Sequence, residues 1–260
     1  RRPRTVQDVY DGANELMATN LDGKTAIVTG AAQGLGYAVA KAYAMAGMRV
    51  ALIDVKAEAL EAVQNELGEN TTPFVADLSD GEATATVAAE AVEWCGVPDV
   101  LVHNAAILVN RSLMSVTLDA FQREMNVIIQ AAFLLTQAVW EPMTQAGRGS
   151  IVYVSSRSGI IGFDEESPYV AGKHALEGFM KCMAIEGKPL NIAVNTITPG
   201  MYMQTPMSEY NYPEELKQKW VDPMMLTPAF LALAEQDGAG VSGQRLNAWH
   251  MSLGTHQALS

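Results

Sequence analysis

Thr29-Gly30-Ala31-Ala32-Gln33-Gly34-Leu35-Gly36 is the stretch that decides how this chain is read. Residues 24–29 before it are a short apolar run of strand character, and Tyr37 to Met45 after it have helical spacing. Strand, glycine turn and helix together are the context in which a glycine-rich loop binds a dinucleotide. Gly30 permits the tight turn, Gly34 leaves room for a pyrophosphate against the backbone, and Gly36 lets helix and strand pack closely. The N-terminus of the helix, at Gln33 to Gly36, offers unpaired N–H groups and the positive end of a dipole to the phosphates.

The next apolar run, Val50-Ala51-Leu52-Ile53, ends on Asp54. A carboxylate there accepts both ribose hydroxyls of an adenosine and repels a 2′-phosphate, so NAD is expected rather than NADP. Gln33 adds no positive charge to the loop, and Lys56 is the nearby cation that keeps NADP as the second choice. A third strand over 73–76 leads to Asp77 and Leu78, and a fourth, Val100-Leu101-Val102, leads to His103-Asn104-Ala105-Ala106. Asp77 also stands where it would cap the helix that begins near Asp80.

The chemistry is carried further along. Ser156 ends the strand-like run Ile151-Val152-Tyr153-Val154, and Tyr169 and Lys173 stand four apart on a helical pattern, hence on one face. A phenol normally keeps its proton to about pH 10, and an ammonium one turn away favours the phenolate. With a serine hydroxyl at the strand end, such a pair can hold one oxygen and exchange its proton. Alone, the spacing more often describes a surface phenol beside a surface ammonium.

The glycine loop, a serine thirteen positions before the tyrosine, and Tyr-x-x-x-Lys together resemble the classical short-chain dehydrogenase/reductase family, from about Leu21 to Leu246. The resemblance implies a doubly wound α/β fold with a mainly parallel sheet of seven strands. It implies that Asp77 and Leu78 frame the adenine and that Asn104, with Ala105, is a strut beneath the cofactor. Pro199-Gly200 would lie near the nicotinamide, with Thr205 on its carboxamide. Tyr169 would be the base, Ser156 would orient the oxygen, and Lys173 would hold the nicotinamide ribose. Asn126 would bind, through its backbone, a water linking the lysine to solvent; the alternative is a buried asparagine bonding a carbonyl. The family usually carries Asn-Asn-Ala-Gly where this chain has His103-Asn104-Ala105-Ala106, and Asp-Gly-Gly where it has Asn247-Ala248-Trp249-His250. His103 reads either as an acid or base or as a satisfied structural group. Four-helix contacts through the helices at 118–143 and 169–186 imply a homotetramer, or a homodimer.

With 260 residues, 49% of them apolar, the chain can build one sizeable domain, expected over 21–260. Residues 1–20 read as an extension with an amphipathic helix at Thr5 to Thr19. Residues 201–225, rich in Met and Tyr, read as a substrate lid. A net charge of −12 argues against nucleic acid and anionic membrane as partners. No apolar run approaches a membrane span, Arg1, Arg2 and Arg4 lead into no signal core, and Cys95 and Cys182 lack metal-ligand spacing. A cytoplasmic enzyme without metal is expected. The reaction expected is oxidation of a secondary alcohol to a ketone with NAD. Arg157, Ser158, Asp164, Glu165 and Glu166 lean the substrate to a sugar or polyol, whereas Tyr202, Met203 and their neighbours suit a steroid-like or aromatic alcohol. The alternatives are an NADPH-dependent carbonyl reductase and, in another class, a nucleotide-binding sensor without turnover.

Overall fold

A computed structural model of the chain describes residues 21–253. The helix expected at Thr5 to Thr19, with the whole of the 1–20 extension, lies outside the described residues. The fold is a repeat of strand and helix: β1 (Thr25–Thr29), α1 (Gly34–Met45), β2 (Arg49–Asp54), α2 (Ala57–Leu67), β3 (Thr71–Val75), α3 (Gly81–Cys95) and β4 (Val100–His103). The second half continues with α4 (Leu118–Met125), α5 (Ala131–Ala146), β5 (Gly149–Val154), α6 (Ser167–Gly187), β6 (Ile192–Thr198) and β7 (Arg245–Asn247). The seven strands form one sheet in the order β3-β2-β1-β4-β5-β6-β7, and every pairing is parallel. Two apolar clusters cover its faces. Val28, Tyr43 and Phe230 belong to one, Ile27, Leu101 and Tyr153 to the other. Burial on both faces is why β1, β4 and β5 carry runs of consecutive apolar residues rather than alternating ones. The order reverses between β1 and β4, and the crevice at that switch is where such sheets take their ligands.

Three elements depart from the sequence pattern in ways that matter for the site. The single helix expected over 118–143 is interrupted by a π turn, Asn126–Gln130, between α4 and α5. Turns of this kind widen the backbone and recur at functional sites. The last strand, which the sequence pattern suggests over Gly240 to Trp249, is only three residues long, because Asn247 accepts from the His250 N–H and starts the short helix α9 (Ala248–Ser252). Residues 201–225 are held by a single bridge, Met203 to Val221, and by the short helices α7 (Pro206–Asn211) and α8 (Glu214–Lys217).

The tightest contact joins α1 to the first turn. A Cβ on Gly36 would lie 2.1 Å from the Gly30 carbonyl oxygen, backbone that cannot swing away. Gly36→Ala is therefore expected to lower stability by about 1–3 kcal/mol. Urea unfolding checks this, and an unchanged midpoint contradicts it.

Candidate active site

A cleft of about 1070 Å³ runs along the carboxyl ends of the strands. At one end lies the glycine loop. Gly30 and Gly34 have φ of +64° and +59°, the left-handed region open to glycine. The Asn104 side-chain amide donates to the carbonyls of Thr29, at 3.1 Å, and Gly30, at 3.4 Å, so it is a strut between β1 and β4. Gln33 precedes α1 and makes no side-chain bond to its first N–H groups, whereas α3, α4 and α7 are capped by Asp80, Thr117 and Thr205. Leu35, Leu78 and Ala105 complete this part of the wall. Gly36 and Asn126 do not line it.

Asp54 faces the same end. Its carboxylate accepts from the Ala32 N–H at 3.0 Å and from the Lys56 N–H at 3.1 Å, while the Lys56 ammonium donates to the Gln33 side chain at 2.6 Å. Asp77 accepts from the Ser79 N–H and hydroxyl and faces the Arg123 guanidinium at 3.2 Å. Burial raises its pKa, but those bonds and the guanidinium outweigh it, and the carboxyl sits below its ordinary range. The helix cap next to it is Asp80, whose carboxylate accepts from Glu82 and Ala83. Thr205 stands over Gly34 and spends its hydroxyl on the Ser208 N–H, as the cap of α7.

At the other end α6 brings its residues to the end of β5. The Lys173 ammonium donates to the Val154 carbonyl at 2.7 Å and lies 5.4 Å from the centre of the Tyr169 ring. Both side chains are buried. The expected lowering of the Tyr169 pKa by Lys173 is overturned by that burial. Loss of water pushes the phenol up, the neighbouring Tyr212 and Glu166 add to it, and only the hydrogen bond with Ser156 opposes them. The same burial pushes Lys173 down to about 7, against the attraction of Glu177. The Ser156 hydroxyl also accepts from the Ser158 N–H at 3.2 Å, across a 3-10 turn over Arg157–Gly159. Pro199 and Gly200 border this end of the cleft.

The half-buried Asn126 side chain donates to the Ser79 carbonyl at 2.9 Å, and the Asn126 backbone carbonyl accepts from the Ala131 N–H across the π turn. His103 is a satisfied structural group. Ile128 O, 3.1 Å from Nε2, can only accept, so Nε2 carries the proton and Nδ1 accepts from the Thr29 hydroxyl at 3.0 Å. That hydroxyl in turn accepts from the Asn104 and Ala105 N–H groups. Burial and the nearby Lys173 push the His103 pKa down to about 4.

Of the charged residues around Ser156, Asp164 and Glu165 face solvent, while Arg157, Ser158 and Glu166 line the cleft. The Ser158 hydroxyl donates to Glu166 at 2.9 Å, and burial raises the Glu166 carboxyl. Tyr202, Met203 and Tyr212 form the opposite wall, with Tyr202 and Tyr212 edge to face at 5.8 Å. Asn211 ties this wall down by donating to the Leu108 carbonyl at 3.0 Å.

The short-chain dehydrogenase model matches residues 24–216. The chain belongs to that family. Among its relatives are D-threitol dehydrogenase of Mycolicibacterium smegmatis, 34% identical over 69% of this chain and 70% of that protein. A 3-alpha-(or 20-beta)-hydroxysteroid dehydrogenase of Mycobacterium tuberculosis is 32% identical over 87% and 88%. A solved structure, provisionally described as an NAD(P)-dependent gluconate 5-dehydrogenase of Beutenbergia cavernae with bound NADP, superposes with a TM-score of 0.81. It is 30% identical and covers 90% of this chain and 98% of its own. The enzyme is thus a short-chain oxidoreductase acting on CH–OH groups with a nicotinamide dinucleotide. The glycine cradle and the N-terminus of α1, which has no side-chain cap, fit that cofactor. Among the described residues no cluster of side chains suits a metal ion, and no helix is long and apolar enough to cross a membrane.

Sequence reading missed two residues under the site, Glu177 and Arg245. Glu177 had a signal, since it continues the spacing of Tyr169 and Lys173 by a further four; Arg245 had none. For His103 the sign of the pH effect is fixed. Its pKa is depressed in the fold, so the unfolded chain binds the extra proton between pH 6.5 and about 4. His103 therefore destabilises the protein progressively as pH falls through that window, by on the order of 3 kcal/mol in all. The expected result is that His103→Gln loses less stability than the parent between pH 6.5 and 4 in denaturant titrations. Parallel losses contradict the assignment.

Proposed function

We propose that the enzyme is an NAD-dependent dehydrogenase that interconverts a secondary alcohol and a ketone, with a sugar or polyol as substrate. The observation that carries the reading is the convergence of Ser156, Tyr169 and Lys173 at one end of a cleft whose other end holds the glycine loop and Asp54. In the oxidative direction Tyr169 removes the substrate's hydroxyl proton, and Ser156 orients the reacting oxygen. Lys173, with a pKa of about 7, is poised to take that proton on or to charge and favour the phenolate. Bound oxidised cofactor supplies the hydride acceptor and a positive charge that also favours the phenolate. Asn126 supports the way out for the proton through the π turn. Asp54 favours NAD, since its carboxylate repels a 2′-phosphate. Lys56 is the observation that favours the second reading, an NADPH-dependent carbonyl reductase, because its ammonium lies beside the same end of the cleft.

Glu166 supports the polyol. Its half-buried carboxylate has one oxygen on Ser158 and stands close enough to Tyr169 to raise its pKa. A substrate with a second hydroxyl beside the reacting one can donate to it; a steroid offers no donor there, and the carboxylate would be desolvated without return. Exposed Phe133 and Ile185 on α5 and α6 support pairing of these helices with a second copy, the basis of the proposed dimer or tetramer.

Initial rates of cofactor reduction with NAD and NADP, over sugars, polyols, hydroxysteroids and aryl secondary alcohols, test the reading. Tyr169→Phe is expected to cost about 10²–10⁴-fold in turnover with NADH affinity kept, as read by fluorescence; unchanged turnover contradicts the mechanism. Glu166→Gln is expected to raise KM for polyols about tenfold while leaving a plain secondary alcohol such as cyclohexanol unaffected. An equal effect on both contradicts the substrate class.

A further inference from the structure

Under Ser156 and Lys173 lies a charged pair that the proposed reaction does not use directly. Glu177 is on α6, one turn beyond Lys173, and Arg245 is on β7. Arg245 Nε donates to Glu177 Oε1 at 3.1 Å, with side chains only 15% and 8% exposed. The same carboxylate oxygen accepts a short hydrogen bond from the Ser155 hydroxyl, and Oε2 accepts from the Thr196 hydroxyl at 2.8 Å. The second arm of the guanidinium, Nη2, donates to the Ser156 carbonyl at 2.9 Å. Gly159, at the end of the same turn, packs on the pair. A Cβ there would meet the Ser155 hydroxyl at 2.7 Å and Glu177 Cγ at 3.1 Å.

The network therefore grips the segment that carries the reactive serine at two points, Ser155 by its hydroxyl and Ser156 by its carbonyl. It fastens both to α6, the helix that carries Tyr169 and Lys173. We propose that Glu177 and Arg245 are positioning residues of the dehydrogenase. The planar fork of Arg245, oriented by Glu177, fixes the main chain of Ser156 so that its hydroxyl stays turned toward Tyr169. The inference rests on the dehydrogenase reading above.

Two features argue for a positioning role over simple cohesion. A buried ion pair is a poor source of net stability, because desolvation offsets its attraction. A guanidinium presents two donors in a rigid plane, which an ammonium cannot copy, and here the two go to different partners. A flexible apolar residue in place of Arg245 would leave the Ser156 carbonyl without its donor and Glu177 without its ion-pair partner on β7. Displacements of about 1 Å at a reacting group can cost up to about a hundredfold in rate.

The test compares Arg245→Met and Arg245→Lys with the parent, using xylitol and cyclohexanol as alcohols and NADH fluorescence for cofactor affinity. Positioning predicts that kcat falls about tenfold or more in Arg245→Met, with NADH affinity and KM close to the parent's. Arg245→Lys should retain the charge and the fold yet recover only part of the rate. A kcat equal to the parent's in both variants, or NADH affinity falling in step with kcat, overturns the proposal. A crystal structure of Arg245→Lys reads the same point without turnover. Displacement of the Ser156 hydroxyl from Tyr169 supports the proposal, and an unmoved Ser156 overturns it. Turnover of the parent tests the dehydrogenase reading separately.

Discussion

The ammonium of Lys173, bonded to the Val154 carbonyl at 2.7 Å inside the protein, is the constraint on which the site depends. It joins the end of β5 to α6 at the one place where a serine from the strand must meet a tyrosine from the helix. Its burial makes it expensive as a cation and pulls its pKa to about 7. That value suits a group exchanging protons near neutral pH better than a permanently charged anchor does. The charge is kept available by Glu177 one turn on, whose carboxylate is itself held by Ser155, Thr196 and Arg245. Each buried charge in this corner thus has a partner on a different element, which ties β5, β6, β7 and α6 into one rigid frame.

At the opposite end of the cleft, beside the charged groups Asp54, Lys56, Asp77 and Arg123, lies the glycine cradle. There the backbone does the work, through two glycines in left-handed conformation, a helix N-terminus with no side-chain cap, and the Asn104 amide spanning two carbonyls. His103 completes this end, donating its Nε2–H to the carbonyl of Ile128 in the π turn. The departure from the family's asparagine at this position therefore keeps a polar bridge between β4 and the wide turn beside the site. A chain of bonds from Thr29 through His103 to Ile128 couples the cofactor end to the turn that carries Asn126.

Much of this was legible from sequence. The placement of the glycine loop, Asp54, and the set Ser156, Tyr169 and Lys173 along one cleft could be read because it depends on local spacing and on strand and helix ends. The mainly parallel sheet of seven strands came from the family resemblance; the strand order itself is seen in the structure. The π turn could not be read, since Asn126 to Gln130 have ordinary helical composition and the His103 ring that bonds the Ile128 carbonyl stands 25 positions away. The direction of the Tyr169 shift was misjudged for a related reason: spacing reveals a neighbouring charge but not how much water both groups lose. Arg245 was invisible because its partners, Glu177 and Ser156, lie 68 and 89 positions away. The reach of the last strand was overestimated because nothing in Gly240 to Trp249 announced that Asn247 would start a helix.

The most direct measurement is label transfer. The enzyme is mixed with NAD and alcohols deuterated at the carbinol carbon, taken from the polyol, sugar, hydroxysteroid and aryl alcohol classes. The reduced cofactor is then analysed by mass spectrometry. The account predicts one deuterium in the reduced cofactor, from a polyol or sugar, and none with Tyr169→Phe. Cofactor that binds but acquires no label from any class would contradict it.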